Sequence, residues 1–414
     1  MNTKNLDDNT QPTDNSSDSV ASEKKTEEEP TQDKAIDENK NQEKETEKEE
    51  KVEEKKEDEA SEEQETEKKA EAEEEPAAPN VPSKTYENLL TVGIVGFDDM
   101  QYLWQLFSSL LKTAQGVDNF KVLFLENGDN QGTAEFIKET FPSVEVFVEE
   151  KNLGLARGHN YLIQKSDSKY YFCLNSDAIL GENALGTLLS AMEANERIAA
   201  ASPLILEWDY HNHQKHNLSN KIEMAGLEIA KSQRVKKRFF GENADNKFSQ
   251  EESVWGFSNT AVMLRRDALE NVAHNEGEYF DNDFFFFNED IDLAYRMRWA
   301  GWNIVFEPNA KAWHDLNSGN KKRETKYRIE KHKNRYLFLQ KNFIPFIRDF
   351  SPEIKKAFYA NETRRAMKAF FTEPIVFLKG FFSSQKMWKK MGEKALKMPR
   401  AIAGGDMEKF FMKD

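Results

Sequence analysis

Leu89-Leu90-Thr91-Val92-Gly93-Ile94-Val95 is a short apolar run, and Gly96-Phe97-Asp98 follows it as a turn. A run of this kind predicts a strand that is buried on both faces. Apolar side chains then recur at helical spacing from Tyr102 to Leu110. The alternation continues, with strands predicted at residues 121–125, 144–148 and 170–174 and helices at residues 134–140 and after Gly158. Strands that alternate with helices at this spacing predict βαβ units and a mostly parallel α/β sheet.

Polar clusters follow three of the predicted strands at the points where those strands end. They occupy residues 96–98, 126–129 and 175–177. In open α/β sheets, ligands bind beyond the carboxyl ends of the strands. We therefore expect these three clusters to form one binding site at that edge of the sheet.

Charge and composition divide the chain into three parts. The first 83 residues hold 29 acidic and 12 basic side chains and contain no Phe, Tyr, Trp or Gly. Such a segment buries too little apolar area to offset its ordering entropy, so residues 1–84 are predicted to be a disordered, acidic, Glu/Lys-rich tail. Residues 85–320 are predicted to form the α/β domain, with a polar insertion at about 207–252. Residues 321–414 hold 24 basic and 10 acidic side chains and are predicted to be a Phe-rich helical region.

The composition also argues against several classes of protein. No apolar run reaches the roughly 18 residues that span a bilayer, and we expect no secretory leader because the first residues lack an apolar segment. The single cysteine, Cys173, rules out an internal disulfide framework and a Cys-rich zinc site. A cytoplasmic protein is therefore expected. The acidic main domain disfavours a nucleic-acid partner.

Asp177 and His314 are candidate ligands for a metal ion. Asp177 directly follows the strand that ends at Leu174, and a carboxylate at this edge suits a divalent cation that bridges a diphosphate. Asn175-Ser176-Asp177 is equally typical of a turn or a helix cap. His314 becomes a ligand candidate only if the fold brings it to Asp177.

Three carboxylates in Asn288-Glu289-Asp290-Ile291-Asp292 open a predicted helix. Acidic residues at a helix start are stabilised by the helix dipole, and this alone explains some of them. Phe280 and residues 284–287 precede the cluster and surround it with apolar surface. Because burial raises the pKa of a carboxyl group and makes it a better base, one of these acids is a candidate general base.

Taken together, the motifs resemble the family 2 glycosyltransferases of the GT-A fold, especially the rhamnosyltransferase- and galactofuranosyltransferase-like branch. The resemblance runs from about residue 89 to residue 316. It rests on Glu126-Asn127-Gly128-Asp129, Asn152-Leu153-Gly154-Leu155-Ala156-Arg157-Gly158-His159-Asn160, Leu174-Asn175-Ser176-Asp177, Gly256, Glu289-Asp290-x-Asp292-Leu293-x-x-Arg296 and His314. The first turn, Gly96-Phe97-Asp98, and Glu126 depart from the family's usual residues, so the donor is left open.

The resemblance implies transfer of a sugar, with inversion, from a nucleotide-diphosphate donor to a hydroxyl of a glycan or lipid-linked acceptor, in surface polysaccharide or cell-envelope synthesis. It implies that Asp177 and His314 hold Mg²⁺ or Mn²⁺, that Asp290 is the base and that Glu289 orients the acceptor or the base. The implied donor-binding residues are Phe97, Asp98, Glu126, Asn127, Asn152, Gly154, Arg157, Asn175 and Asp177. The implied acceptor-side residues are Gly256 and Asp292.

Two sets of alternatives stay open. The α/β domain is alternatively an inactive nucleotide-sugar-binding protein, or a scaffold that recruits partners through its acidic tail. The basic C-terminal region either packs on the α/β domain, or lies on an anionic membrane surface at the inner face of the membrane, or pairs with the acidic tail. The first two of these options are compatible with each other.

Overall fold

The computed structural model describes residues 84–128, 132–210, 217–316 and 325–414. The predicted disordered tail lies outside the described residues, except for its last residue. The strands are β1 Asn88–Gly96, β2 Phe120–Asn127, β3 Val144–Glu149, β4 Ser168–Asn175, β5 Ala178–Leu180, β6 Ile198–Asp209, β7 Asn217–Met224, β8 Leu227–Ala230, β9 Val235–Lys237, β10 Glu252–Ser253, β11 Ala261–Arg265, β12 Asn303–His314 and β13 Phe411–Met412.

Helices cover both faces of the sheet and build the C-terminal region. They are α1 Leu103–Thr113, α2 Thr133–Thr140, α3 Leu155–Lys165, α4 Ala184–Ala194, α5 Arg266–Val272, α6 Glu289–Trp299, α7 Thr325–Asn342, α8 Pro352–Thr372, α9 Pro374–Gln385, α10 Trp388–Lys397 and α11 Gly404–Glu408. Short 3₁₀ helices lie at Met100–Tyr102 and Ile344–Asp349. No helix in the described ranges combines the length and the apolar composition needed to cross a membrane.

The central sheet has the strand order β10-β12-β6-β11-β4-β1-β2-β3, with β5 on β12 and β7 on β6. Strands β3, β2, β1 and β4 are parallel, as the βαβ pattern predicts. Beyond β4 the sheet is mixed, because β11 is antiparallel to both β4 and β6. The α/β class is confirmed, whereas the parallel pairing extends over only part of the sheet.

Strand β1 lies at the centre of the sheet, between β2 and β4. Its side chains are buried on both faces, which explains why its sequence is an apolar run rather than an alternating one. Gly93 is required there, because a Cβ atom at this position would lie 1.8 Å from Oη of Tyr171. The buried strand carries its polar turn, Phe97 and Asp98, to the edge of the sheet.

The predicted polar insertion at 207–252 contains ordered strands. Strand β7 pairs antiparallel with β6 of the central sheet, and β8 forms a small sheet with β9 and β13. Ile222 and Met224 of β7 are fully buried. The polar, weakly periodic sequence thus contains strands that pair with the preceding strand β6, with each other and, for β8, with the distant strand β13.

The C-terminal helices share a hydrophobic core with the α/β domain. Phe338 and Phe343 belong to the same buried cluster as Trp299 of α6. A group of buried charges joins the two parts as well, since Lys341 of α7 is ion-paired with Asp281 and lies 2.6 Å from Asp292. The packing alternative is thus confirmed for this face of the C-terminal region.

Candidate active site

A cavity of about 480 Å³ opens where β1, β2 and β4 end. It lies where ligands bind in open α/β sheets. The predicted site residues in its wall are Phe97, Asp98, Asn127, Asn152, Gly154, Asn175, Asp177, Glu289, Asp290 and His314. The strand-end clusters therefore meet with the start of α6 and the end of β12.

The pairing of two strands brings Asp177 and His314 together. Strand β5 begins just after Asp177 and is antiparallel to the end of β12, where His314 lies opposite Ala178. As a result, Oδ1 of Asp177 is 3.1 Å from Nε2 of His314. The fold thus brings His314 to Asp177, which is the condition for treating His314 as a candidate metal ligand.

Glu223 of β7 is a site residue that the sequence did not reveal. Its Oε2 lies 2.7 Å from Nδ1 of His314, and its Oε1 is ion-paired with Lys237 of β9. The alternation of Ile222 and Met224 is a signal for the strand, but nothing local indicates that Glu223 faces a histidine 91 positions away. An acid on Nδ1 fixes the ring and directs Nε2 towards Asp177.

The electrostatics of this group favour a bound cation. Burial by itself would lower the pKa of His314, but Asp177 and Glu223 on its two nitrogens raise it to about 10. The group thus holds a positive charge between two carboxylates. Once Nε2 of His314 has lost its proton, this nitrogen and the carboxylate oxygen beside it form a donor set that a divalent cation accepts. The residues present therefore fit a divalent metal ion that displaces this proton.

The aromatic turn before α6, residues 285–287, sets the direction of the helix start. Phe287 and Asn288 have φ values of 76° and 69°, a left-handed conformation that is uncommon for residues with side chains. Nδ2 of Asn334 in α7 donates to the carbonyl oxygens of Phe286 and Phe287, at 2.8 and 3.0 Å. The C-terminal region thereby holds a turn whose three Phe residues line the cavity.

Glu289 and Asp290 are neighbouring carboxyl groups in different surroundings. Glu289 is 3% exposed, and Asp290 is partly exposed. Burial, followed by the charge of Asp290, raises the pKa of Glu289 to about 8. Burial raises the pKa of Asp290 as well, while several hydrogen bonds, from the backbone N–H of Ile291 among others, oppose that shift. At neutral pH Glu289 holds a proton, and the more accessible Asp290 is the group suited to accept one.

Replacing Glu289 with Gln is expected to stabilise the protein increasingly as the pH rises. Folded Glu289 keeps its proton up to a pKa of about 8, whereas the usual value of 4.5 applies after unfolding. Unfolding therefore releases a proton between about pH 4.5 and 8, and the wild type loses stability across that window. Urea unfolding at pH 5, 6, 7 and 8 should show a gap of a few kcal/mol opening towards pH 8.

The exposed variant Glu135→Gln is the control for this experiment and should follow the wild type at every pH. A gap between Glu289→Gln and the wild type that stays constant from pH 5 to pH 8 would contradict the raised pKa of Glu289.

Two asparagines in the cavity wall accept hydrogen bonds from the backbone at residues 153 and 154. Oδ1 of Asn127, at the end of β2, accepts from the backbone N–H of Leu153 at 2.8 Å. Oδ1 of Asn152 accepts from the N–H of Gly154, also at 2.8 Å. Gly154 is required because a Cβ there would lie 2.2 Å from the carbonyl oxygen of Phe285. Its close neighbour in this structure is the aromatic turn.

Glu126 and Arg157, two of the implied donor-binding residues, are not among the residues that line the cavity. Glu126 is buried, and its Oε2 accepts from the N–H of Ala134 at 2.6 Å in the first turn of α2. Arg157 is exposed and donates through Nε to the carbonyl oxygen of Asn282. Glu126 thus stabilises a helix end, and Arg157 binds the loop at Asn282.

Gly256 and Asp292, the implied acceptor-side residues, are also not among the residues that line the cavity. Gly256 forms backbone hydrogen bonds with Leu227 and packs against α6. Asp292 is fully buried and accepts from Nε of Arg296 at 3.0 Å and from Nδ2 of Asn342 at 2.8 Å. Burial in this pairing network explains why Asp292 cannot contact an acceptor in the cavity.

A second group of potential metal ligands already surrounds the ammonium group of a lysine. Ligand atoms of His274, Asp281 and Asp292 lie within 4.8 Å of one another. The ammonium group of Lys341 lies 2.9 Å from Nε2 of His274 and 2.6 Å from Asp292, and it is ion-paired with Asp281. Lys341, together with Lys394 on Asp281, supplies the positive charge that this buried group needs. It is a structural ion cluster.

Comparison with known proteins shows which proteins the chain resembles. Residues 91–273 match the model of glycosyl transferase family 2. The chain is 24% identical over 271 residues, 61% of its length and 84% of the relative, to N-acetylglucosaminyl-diphospho-decaprenol L-rhamnosyltransferase of Mycobacterium tuberculosis. It is also 24% identical over 201 residues, 47% of its length and 42% of the relative, to poly-beta-1,6-N-acetyl-D-glucosamine synthase of Staphylococcus epidermidis.

A comparison of structures supports the same fold. The chain is similar to the crystal structure of GalNAc-T7 with UDP, GalNAc and Mn²⁺, with a TM-score of 0.50 and 16% identity. The similarity covers 80% of this chain and 59% of that one. At this identity the likeness concerns the fold alone. Residues 91–273 are therefore similar to family 2 glycosyltransferases, the chain has the GT-A fold, and the protein is a glycosyltransferase.

Proposed function

We propose that the protein is an inverting, metal-dependent glycosyltransferase that moves a sugar from a nucleotide-diphosphate donor to a hydroxyl of a glycan or lipid-linked acceptor. The observation that carries this proposal is the presence of two different acidic groups in one cavity. Asp177 with His314 and Glu223 suits a cation, while Asp290 with the protonated Glu289 suits proton transfer.

Asp177 and Nε2 of His314 would hold Mg²⁺ or Mn²⁺, and Glu223 would keep the imidazole ring in position. A divalent ion supplies charge neutralisation for the diphosphate leaving group. The residues of this chain provide the negative pocket and the ring orientation. The Mn²⁺ in the crystal structure of GalNAc-T7 agrees with this choice of ions for the fold.

Asp290 would accept the proton of the acceptor hydroxyl. As that oxygen forms its bond with the anomeric carbon, the bond between this carbon and the diphosphate oxygen breaks, and the nucleoside diphosphate leaves. A single displacement of this kind inverts the configuration at the anomeric carbon. Glu289, which is protonated at neutral pH, avoids a second negative charge beside Asp290 and orients the base.

The donor would lie along the strand ends, with its nucleoside near Phe97, Asp98 and Asn127 and its diphosphate near Asp177. The acceptor sugar would contact the aromatic turn at residues 285–287 and Tyr327, because carbohydrate sites combine aromatic walls with few polar groups. The Mycobacterium relative carries the name of a transferase for a diphospho-decaprenol acceptor. A lipid-linked acceptor in cell-envelope or polysaccharide synthesis is therefore our proposal.

We also propose that the enzyme works at the cytoplasmic side, where a free thiol such as the buried Cys173 stays reduced. The alternative of an inactive or scaffolding domain receives no support from the site. The candidate base and both candidate metal ligands line one cavity, which supports an active enzyme.

The experiment is a donor screen with the full chain. Nucleoside-diphosphate release is measured against a panel of UDP-, GDP- and dTDP-sugars with Mn²⁺, Mg²⁺ or EDTA. We expect one donor class to be cleaved slowly, with release abolished by EDTA. The proposal fails if no donor is cleaved and none raises the melting temperature in the presence of metal. Release that is equal in EDTA would remove the metal from the proposal.

A further inference from the structure

The C-terminal helices carry an apolar surface that faces away from the protein. We call it the outer face, and it consists of Met367, Phe370, Phe371, Ile375, Leu378 and Phe382 from the end of α8 and from α9. Phe371 is 78% exposed and Ile375 is 68% exposed. Only Glu373 separates the two helices, and on each of them the exposed apolar side chains recur at the spacing of one helical face.

The opposite side of α9 is buried against the protein. The two sides of α9 are therefore not equivalent, and the helix could not turn its exposed side inwards without losing this packing. Val376, Phe377, Gly380 and Ser384 are buried there. A Cβ atom at Gly380 would lie 2.6 Å from Cβ of His332, which shows how closely α9 approaches α7. A rotation that buried Ile375 or Phe382 would destroy this contact. The outer face is therefore apolar although its side chains are not part of the hydrophobic core.

The outer face is also surrounded by positive charge. Between residues 363 and 392 the chain has seven basic side chains and one acid, Glu373. That acid is turned inwards, where it pairs with Arg328 and lies 2.8 Å from Nε2 of His332. Within that stretch the exposed basic side chains are Arg364, Lys368, Lys379, Lys386, Lys389 and Lys390, the last of which pairs with Asp283.

The outer face and the cavity share the first turns of α7. Tyr327 lines the cavity, and the next residue, Arg328, pairs with Glu373 at the α8–α9 junction. His332 contacts Glu373 one turn further along α7. The acceptor side of the cavity is thus connected directly to the helices that carry the outer face.

We propose that the outer face is the surface by which the enzyme lies on an anionic lipid bilayer. Its apolar side chains would enter the boundary between headgroups and acyl chains, and its lysines and arginines would contact lipid phosphates. Two other occupants fit less well. The acidic residues 1–83 contain no aromatic side chain to cover this surface, and a second copy would bring equal positive charge against it.

This inference rests on the proposed function in one respect, namely that a membrane-bound acceptor would reach the cavity from the outer face. The bilayer contact itself does not depend on transfer activity. Vesicle binding and donor cleavage are therefore measured separately. Loss of one without the other shows which of the two proposals fails.

The test is cosedimentation of the full chain with vesicles of phosphatidylglycerol and phosphatidylcholine, compared with pure phosphatidylcholine. The variant Phe371→Ser/Ile375→Ser/Phe382→Ser is expected to lower the partition coefficient for the anionic vesicles about tenfold or more, because apolar burial and charge contribute together. The control Trp104→Ser/Val148→Ser/Leu218→Ser removes three exposed apolar side chains elsewhere and should bind like the wild type.

Both triple variants should keep the melting temperature and the donor cleavage of the wild type, which shows that they fold. Lys368→Gln/Lys379→Gln/Lys386→Gln provides an independent charge test and should also bind more weakly. The proposal is overturned if the outer-face variant binds anionic vesicles as the wild type does. It is equally overturned if binding to neutral vesicles is as strong, or if the variant changes a dimer into a monomer.

Discussion

Replacing Asp290 with Asn is expected to lower kcat by about 10³-fold, since a positioned general base contributes on the order of 10² to 10⁴. The substitution keeps the size of the side chain and removes its capacity to accept the acceptor's proton. Asp290 is partly exposed in the cavity, beside the buried, protonated Glu289. Because it acts on the acceptor hydroxyl, the affinity for the donor should change little. Steady-state transfer to an acceptor, combined with calorimetry of donor binding, checks both parts.

The matched control is Asp283→Asn, a carboxylate in the same segment that does not line the cavity and pairs with Lys390 and Lys394. It should keep kcat within a few-fold of the wild type. If Asp290→Asn transfers sugar at the wild-type rate, another group takes the proton and the assignment of the base is wrong.

Replacing Asp177 with Asn is expected to remove metal-dependent donor binding and to lower kcat/KM by about 10³-fold or more. A metal that neutralises a diphosphate contributes several kcal/mol, and each 1.4 kcal/mol is worth tenfold in rate. Asp177 is the carboxylate on Nε2 of His314, so the variant loses one of the two proposed ligands. Titration of Mn²⁺ followed by electron paramagnetic resonance measures the loss without reference to activity.

Glu223→Gln gives a graded comparison, because it leaves both proposed ligands in place and alters the partner of Nδ1 of His314, together with the ion pair to Lys237. We expect it to weaken Mn²⁺ binding by about 10- to 100-fold, the usual effect of removing an outer partner of a metal ligand. Wild-type Mn²⁺ affinity in Asp177→Asn would place the metal elsewhere. Wild-type Mn²⁺ affinity in Glu223→Gln would show only that Glu223 does not position His314.

The first half of the fold follows from local pattern. The apolar runs of β1, β2 and β4 are buried on both faces, and such runs are readable without knowledge of the partner strands. The strand ends then place Asn127 and Asp177 at one edge of the sheet. These two residues were predictable because the geometry of a parallel sheet, rather than any distant contact, decides their position.

The rest of the site depends on contacts between distant parts of the chain. Glu223 faces His314 only because β7 and β12 both pair with β6. Asp292 belongs to the same motif as Asp290, yet it turns inwards because Lys341 and Asn342 of α7 provide partners for it. A sequence motif records which residues occur together, whereas the partner helix decides which of them faces the cavity.

The central claim is a division of labour within one cavity, with Asp177 serving the metal and the donor and Asp290 serving the acceptor. The most direct test is calorimetric titration of the donor that the screen identifies, in Mn²⁺, into the wild type, Asp177→Asn and Asp290→Asn. We predict that Asp290→Asn binds the donor within a few-fold of the wild type although it does not transfer the sugar, and that Asp177→Asn shows no Mn²⁺-dependent binding. Equal loss of binding in both variants, or wild-type binding in Asp177→Asn, would contradict the account.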